Sequence, residues 1–137
     1  MTKILANINS KSGHQLFLNA RLSGEKTEFV TRDDFLLQIG QLVFDKDYEA
    51  KKHKHVLNVR RIPYTAEVLM VQSGRLQYFI WDYDHVEKLL IKGIATKGDV
   101  LILGKVAHSF RSLKKTIIIE IKQGPYLGKR DKIYGDK

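Results

Sequence analysis

The feature that most limits the fold of this chain is a series of short apolar or alternating runs, each ended by turn residues. The runs are four to eight residues long and lie at 39–44, 66–72, 75–82, 87–91, 100–103 and 116–122. Short strands at close spacing, with little helix between them, predict an all-β antiparallel sandwich or barrel. The exception is residues 31–38, where Thr31 as a cap and the acids after it predict a short helical turn.

Alternation along these runs assigns side chains to faces, because neighbours on a strand point to opposite sides. Ile117, Ile119 and Ile121 share one face of the last run, and Ile118, Glu120 and Lys122 share the other. Several runs are apolar on both faces, as expected when one face lies in a core and the other meets a partner. We therefore expect a homodimer formed through a strand face.

Length and composition favour one globular domain. The chain has 137 residues and no cysteine, which excludes disulfides, thiolate catalysis and zinc sites built on sulfur. No run approaches the roughly 18 apolar residues of a transmembrane helix, and the first residues hold no apolar signal core. A cytoplasmic protein without a membrane partner is the expectation.

The net charge of +9 comes from two short segments. Residues 46–61 carry six basic and two acidic side chains, and residues 111–137 carry eight and three, whereas the rest of the chain is balanced. These segments form either an anion-attracting surface near a site or a solvated lysine-rich face. Nucleic acid is an unfavoured partner, because no zinc finger, basic heptad helix or arginine-rich arm is present.

Histidines point to a metal site. His53 and His55 are two residues apart, so on a strand both imidazoles project to the same face. Glu67 can add a carboxylate from the next strand and His108 a third imidazole from a later one. This donor set suits one divalent transition metal (Zn, Fe, Mn, Ni or Co) and leaves coordination positions open. The alternative is that His53 and His55 are surface residues of a lysine-rich stretch.

The same residues lie in motifs that resemble the cupin family over about residues 39–123. The pair His53-Lys54-His55 is followed by Glu67, then by VLMVQS and Gly74; later, Gly98-Asp99-VLIL-Gly104 leads to His108. The sequence departs from the cupin pattern in the eleven residues between His55 and Glu67, in Gly104 where a proline is usual, and in Ser112 at the closing asparagine position.

The resemblance implies a single domain over residues 1–137, a double-stranded β-helix or jelly-roll barrel with a tail at about 124–137. It also implies a metal held by His53, His55, Glu67 and His108. The segment from Glu120 to Tyr126, with Asp131-Lys132 after it, is similar to small bacterial cupins associated with surface-polysaccharide and nucleotide-sugar pathways.

Other polar residues are candidates for substrate contact. Arg60, Arg61 and Tyr64 lie in the insertion between the proposed ligands, and paired guanidinium groups bind carboxylate or phosphate well. Glu120 and Lys122 lie on the more polar face of an apolar strand and are candidates for the catalytic acid and base. For each set the alternative is a surface or strand-end position with no role.

Three functions follow from these residues. The first is a metal-dependent enzyme, an isomerase or epimerase or an oxygenase, acting on a small polar, anionic molecule such as a nucleotide-linked sugar. The second is a non-catalytic cupin that binds a small ligand and a structural metal. The third is a basic protein that binds an acidic macromolecule.

Overall fold

A computed structural model describes residues 2–135 and is all-β and antiparallel, as the sequence predicts. One short 3₁₀ helix, Gly128–Asp131, is the helical element of this part of the chain. The strands are β1 (Lys3–Asn9), β2 (Gln15–Arg21), β3 (Glu28–Phe29), β4 (Gly40–Gln41), β5 (Glu67–Ser73), β6 (Arg75–Trp81), β7 (Leu89–Thr96), β8 (Asp99–Leu103), β9 (Ala107–Ser112) and β10 (Ile117–Lys122).

The strands form a five-stranded sheet in the order β1-β2-β8-β5-β10, a three-stranded sheet in the order β7-β6-β9, and the small pair β3-β4. Within residues 2–135 no ladder joins these sheets edge to edge, so the described strands do not close a barrel. Strands β10 and β9 each have one free edge.

The core lies between the two larger sheets. Phe17 of β2 contacts Tyr78 of β6 with ring centroids 5.3 Å apart, and Asn19 Nδ2 donates a hydrogen bond to Tyr78 Oη at 3.4 Å. The buried residues of this cluster are Phe17, Leu69, Val71, Leu76, Tyr78, Ile80, Ala95, Leu101, Leu103 and Val106.

A second cluster covers the other face of the five-stranded sheet. It joins Val68, Val100 and Ile102 to Phe35, with Tyr64 packed at its side. Strands β5 and β8 are therefore apolar on both faces because this chain itself covers both, and a partner is not needed there. Ile117, Ile119 and Ile121 on β10 remain exposed.

Several elements differ from the sequence-based expectation. β1 and β2 precede residues 39–123, yet β2 pairs with β8 inside the five-stranded sheet. The short helical turn expected at 31–38 is reduced to a single hydrogen-bonded turn, in which Phe35 N donates to Arg32 O at 3.0 Å. Thr31 Oγ1 accepts a hydrogen bond from Ile39 N at 3.0 Å, so the segment closes as a loop. The strand expected at 39–44 shortens to two residues, and the one expected at 87–91 shifts to Leu89–Thr96.

Two turns depend on glycine. Gly74 joins β5 to β6 with φ of +104°, and a Cβ there would lie 2.5 Å from Thr116 Cα. Gly98 joins β7 to β8 with φ of +91°, which matches the turn expected at Gly98-Asp99. Positive φ costs an L-residue energy that glycine does not incur.

The longest connection runs from β4 to β5 without regular secondary structure. Its residues 44–62, hereafter the arm, are all exposed. The last eight or so residues are expected to fray. The 3₁₀ helix Gly128–Asp131 extends into this stretch, residues 132–135 have no regular secondary structure, and residues 136 and 137 lie outside the described part. Across residues 2–135 we find no helix with the length and apolar character needed to cross a membrane.

Candidate functional site

Glu67 and His108 meet at one end of the two large sheets, hereafter the Glu67–His108 end. Glu67 is the first residue of β5 and shares the inward face with Leu69 and Val71. His108 of β9 lies opposite Ile80 in the ladder with β6, which turns it toward the same interior. The two side chains approach to 3.4 Å between His108 Nε2 and Glu67 Oε2. The sequence prediction that a carboxylate from one strand meets an imidazole from a later strand is therefore seen for this pair.

The Glu67 carboxylate has few partners for a buried charge. Its side chain is 10% exposed, and the residues that the structure describes donate no hydrogen bond to it apart from the His108 contact. Burying a carboxylate without donors is costly, so native proteins normally pair such a group. Such a carboxylate is a candidate to receive a cation or a polar ligand.

Electrostatics favour the neutral form of His108. Burial is the largest influence and lowers its pKa from the ordinary 6.5, and Lys132 lowers it further. Glu67 and Glu120 act in the opposite direction and raise it, but they do not outweigh burial. A neutral imidazole is the form that binds a metal, because one ring nitrogen then carries a free lone pair.

Glu120 and Lys122, the proposed catalytic pair, lie on the same inward face. In the ladder with β5, Glu120 is opposite Leu69 and Lys122 is opposite Glu67. Glu120 is close enough to act on the charge of His108. Lys122 Nζ lies 3.9 Å from Asp131 Oδ2 of the 3₁₀ helix. The structure thus brings both residues to the Glu67–His108 end, where Lys122 is paired with Asp131.

Three contacts at this end were missed by the sequence analysis. The Phe110 ring packs beside that of His108, tilted by 36° with centroids 5.2 Å apart, and the i, i+2 spacing on a strand was an available signal for it. Asp131 pairs with Lys122. Gln123 Oε1 accepts a hydrogen bond from Ala66 N at 2.8 Å and so holds the start of β5. The last two pairings join distant segments, and no local pattern predicts them.

His53 and His55 lie on the arm, away from Glu67 and His108. The expectation that they lie on a strand is wrong for this chain by itself, because residues 50–62 have no ladder partner. Their rings are 5.6 Å apart, and His53 Nδ1 lies 2.8 Å from Lys51 O. In the described residues no group of three or more His, Asp or Glu side chains is placed to hold a metal. Two of the four expected donors are together, which is too few for a metal site in a single chain.

The proposed substrate-binding residues are also separated. Arg60 and Arg61 are exposed on the arm. Tyr64 packs against the second cluster, on the opposite face of β5 from Glu67, and burial, followed by the charge of Asp34, raises its pKa above the ordinary 10.0. The structure does not bring these three residues to the Glu67–His108 end.

A concave surface lies at the end of the sheets opposite to Glu67 and His108. It is a basic cleft of about 490 Å³, lined by Arg21, Ser73, Gly74, Arg75, Thr96, Lys97 and Lys114. Its cations make it the main alternative place for an anionic ligand.

Comparisons with protein-family models, with curated proteins and with solved structures give no match for this chain. The functional argument therefore depends on the residues and their geometry.

Proposed function

We propose that this protein is a metal-binding cupin of the jelly-roll type that binds a small polar, anionic molecule at its Glu67–His108 end. One divalent transition metal, held by His53, His55, Glu67 and His108, is the proposed cofactor. The observation that carries the proposal is the buried Glu67 carboxylate, whose partner among the described residues is an imidazole at 3.4 Å. A divalent cation would supply the missing positive charge.

The residues around this pair suit a polar ligand. When bound, the metal would supply Lewis-acid polarisation of a ligand oxygen. Burial lowers the pKa of His108, which favours the neutral imidazole and its lone pair, and the Phe110 ring lies beside it. The Glu120 carboxylate could accept a proton from a bound hydroxyl, while Lys122 and Lys132 contribute positive charge that favours an anion.

The resemblance to cupins suggests isomerase, epimerase or oxygenase chemistry on a molecule such as a nucleotide-linked sugar. The alternative is binding without turnover. The Lys122–Asp131 pairing at 3.9 Å favours that alternative, because it already engages one of the two proposed catalytic groups.

Metal content tests the proposal directly. Untagged wild-type protein is measured by elemental mass spectrometry beside the Glu67→Gln and His108→Gln variants. We expect near-stoichiometric metal in the wild type. In both variants we expect metal affinity to fall by more than the roughly 10- to 100-fold that the loss of an outer-shell partner costs, because a direct ligand is removed. The chain offers a matched control: His85 and Glu87 form a second histidine–glutamate pair, 3.9 Å apart, with both side chains more than 70% exposed. His85→Gln and Glu87→Gln should keep the metal.

Either of two results would contradict the proposal. One is wild-type protein that contains no metal and takes up none of Fe, Mn, Ni, Co or Zn. The other is metal that remains unchanged when Glu67 and His108 are replaced.

Calorimetric titration with UDP-glucose as the probe tests the anionic ligand. If Arg60 and Arg61 bind its diphosphate, Arg60→Ala/Arg61→Ala weakens binding and Arg75→Ala/Lys97→Ala in the basic cleft does not. The reverse result would place the anion site in the basic cleft. If the wild type does not bind UDP-glucose, nucleotide-linked sugars are excluded as the ligand class.

A further inference from the structure

The arm (residues 44–62) has the properties of a segment that is bound to something other than its own chain. Val56 is 84% exposed, and Leu57 and Val59 are fully exposed. Its hydrogen bonds are local, as in Tyr48 N to Asp45 O at 3.1 Å and Arg60 Nη1 to Asn58 O at 3.5 Å. An apolar run left bare over this length is unfavourable in water and is typical of a binding segment. Loops this long without structure of their own are uncommon inside a compact domain.

The Glu67–His108 pair is an incomplete metal site. Glu67 and His108 supply one carboxylate and one imidazole at their end of the sheets. The arm supplies two imidazoles, His53 and His55, whose spacing turns both to one side when the segment is extended against a sheet. Each region holds half of one donor set, and in a single chain the two halves do not meet.

The sheets also offer a place for an added strand. Strands β9 and β10 carry His108 and Glu120, and both end their sheets with a free edge. Free edges present unpaired backbone N–H and C=O groups, which readily accept an extended segment. Ile117, Ile119 and Ile121 are exposed on the outer face of β10. When an added strand turns His53 and His55 inward, alternation places Val56 on this outer face.

We infer that the arm of one copy of this chain docks along the free edges of β9 and β10 of a second copy and contributes its His53 and His55 to that copy's Glu67–His108 site. The second copy is the occupant that explains why the arm extends clear of its own sheets with its apolar residues bare. An exchanged arm makes its contacts only in the assembly, and reciprocal exchange gives a closed two-fold dimer with two equivalent sites. The metal-site part of this inference depends on the proposed function, but the exchange of arms does not.

Light scattering tests the exchange whether or not a metal binds. We expect wild-type protein to have twice the chain mass of 15.8 kDa, and Leu57→Ser/Val59→Ser to have the mass of one chain, with an unchanged β-sheet circular dichroism spectrum. Ile133→Ser is the matched control, because Ile133 is fully exposed outside the arm; it should remain a dimer. A monomeric wild type, or a dimer that survives in Leu57→Ser/Val59→Ser, would overturn the inference.

Complementation then tests whether the site is shared. His53→Ala/His55→Ala has an inactive arm and a complete Glu67–His108 pair, whereas His108→Gln has the reverse. Neither should hold metal alone. After the two are unfolded, mixed in equal amounts and refolded together, half of the dimers are mixed and each has one complete site, so metal should return to about a quarter of the wild-type content.

The outcomes separate the two proposals. A dimer that depends on the arm, but with no metal in the wild type, retains the exchange and refutes the metal site. Metal in the wild type with no recovery in the mixture retains the metal site and shows that the arm folds back on its own chain.

Discussion

Two buried carboxylates at opposite ends of the same sheet have very different surroundings. Asp99, at the start of β8, is 2% exposed. It accepts hydrogen bonds from Arg21 Nε at 2.9 Å and from Thr96 N at 2.8 Å, and Arg21 Nη2 lies 2.7 Å away. Glu67, at the start of β5, contacts His108 at 3.4 Å. The charge of Asp99 is satisfied within the fold, whereas Glu67 has no comparable set of donors among residues 2–135.

Replacing Asp99 should have the largest effect on stability. Asp99→Ala removes the acceptor of the Thr96 amide and the carboxylate partner of Arg21, which keeps a hydrogen bond to Thr96 Oγ1 at 3.1 Å. We therefore expect a loss of about 3 kcal/mol in the free energy of unfolding. Urea denaturation followed by circular dichroism measures it. A loss below about 1 kcal/mol would remove the contrast between the two carboxylates.

The turn at Gly74, at the same end as Asp99, should be the next most sensitive position. In Gly74→Ala the new Cβ would lie 2.5 Å from Thr116 Cα at a φ of +104°, so both the backbone and the neighbour must shift. We expect a loss of about 2 kcal/mol. Gly124→Ala is the control, because nothing lies within 4 Å of a Cβ at Gly124. Equal stability of the two variants would contradict the role of Gly74.

Replacing Glu67 should change the stability of the metal-free protein much less than replacing Asp99. In metal-free protein, Glu67→Gln removes a buried charge that the fold does not satisfy, so we expect the free energy of unfolding to change by no more than about 1 kcal/mol in either direction. Denaturation in the presence of a chelator measures it beside Asp99→Ala. A loss as large as that of Asp99→Ala would make Glu67 structural as well.

The smallest expected effect is the pH dependence due to His108. Burial lowers its pKa in the folded protein below 6.5, so at falling pH the unfolded chain binds a proton before the folded one does. Stability should therefore decrease as pH falls from about 6.5 to the lowered pKa, and then level off. His108→Gln should lack this slope in metal-free protein. A variant with the wild-type slope would show that another group is responsible.

The sequence predicted several of these elements well. Alternation placed Glu67 on one face with Leu69 and Val71, and the structure buries all three. The turn at Gly98-Asp99 is also present. These features follow from local chemistry, because the two-residue period of a strand and the positive φ of a glycine turn do not depend on distant parts of the chain.

Other features escaped the sequence analysis because they need long-range contacts. Strand β2 was not predicted, although its side chains from Phe17 to Ala20 are all buried; its place beside β8 decides this. The pairing of Lys122 with Asp131 and of Gln123 with Ala66 likewise joins segments that no local pattern connects.

By itself, the sequence determined an all-β antiparallel chain, its turns, and the residue types suited to a metal. The tertiary structure alone decided that Glu67 meets His108, that Asp99 is satisfied by Arg21, and that His53 and His55 stay apart from both on an exposed arm. The alternation of a strand specifies which face a side chain lies on, but not which side chains it contacts. Those contacts depend on which strands pair in the folded chain, and on which donors lie near each carboxylate.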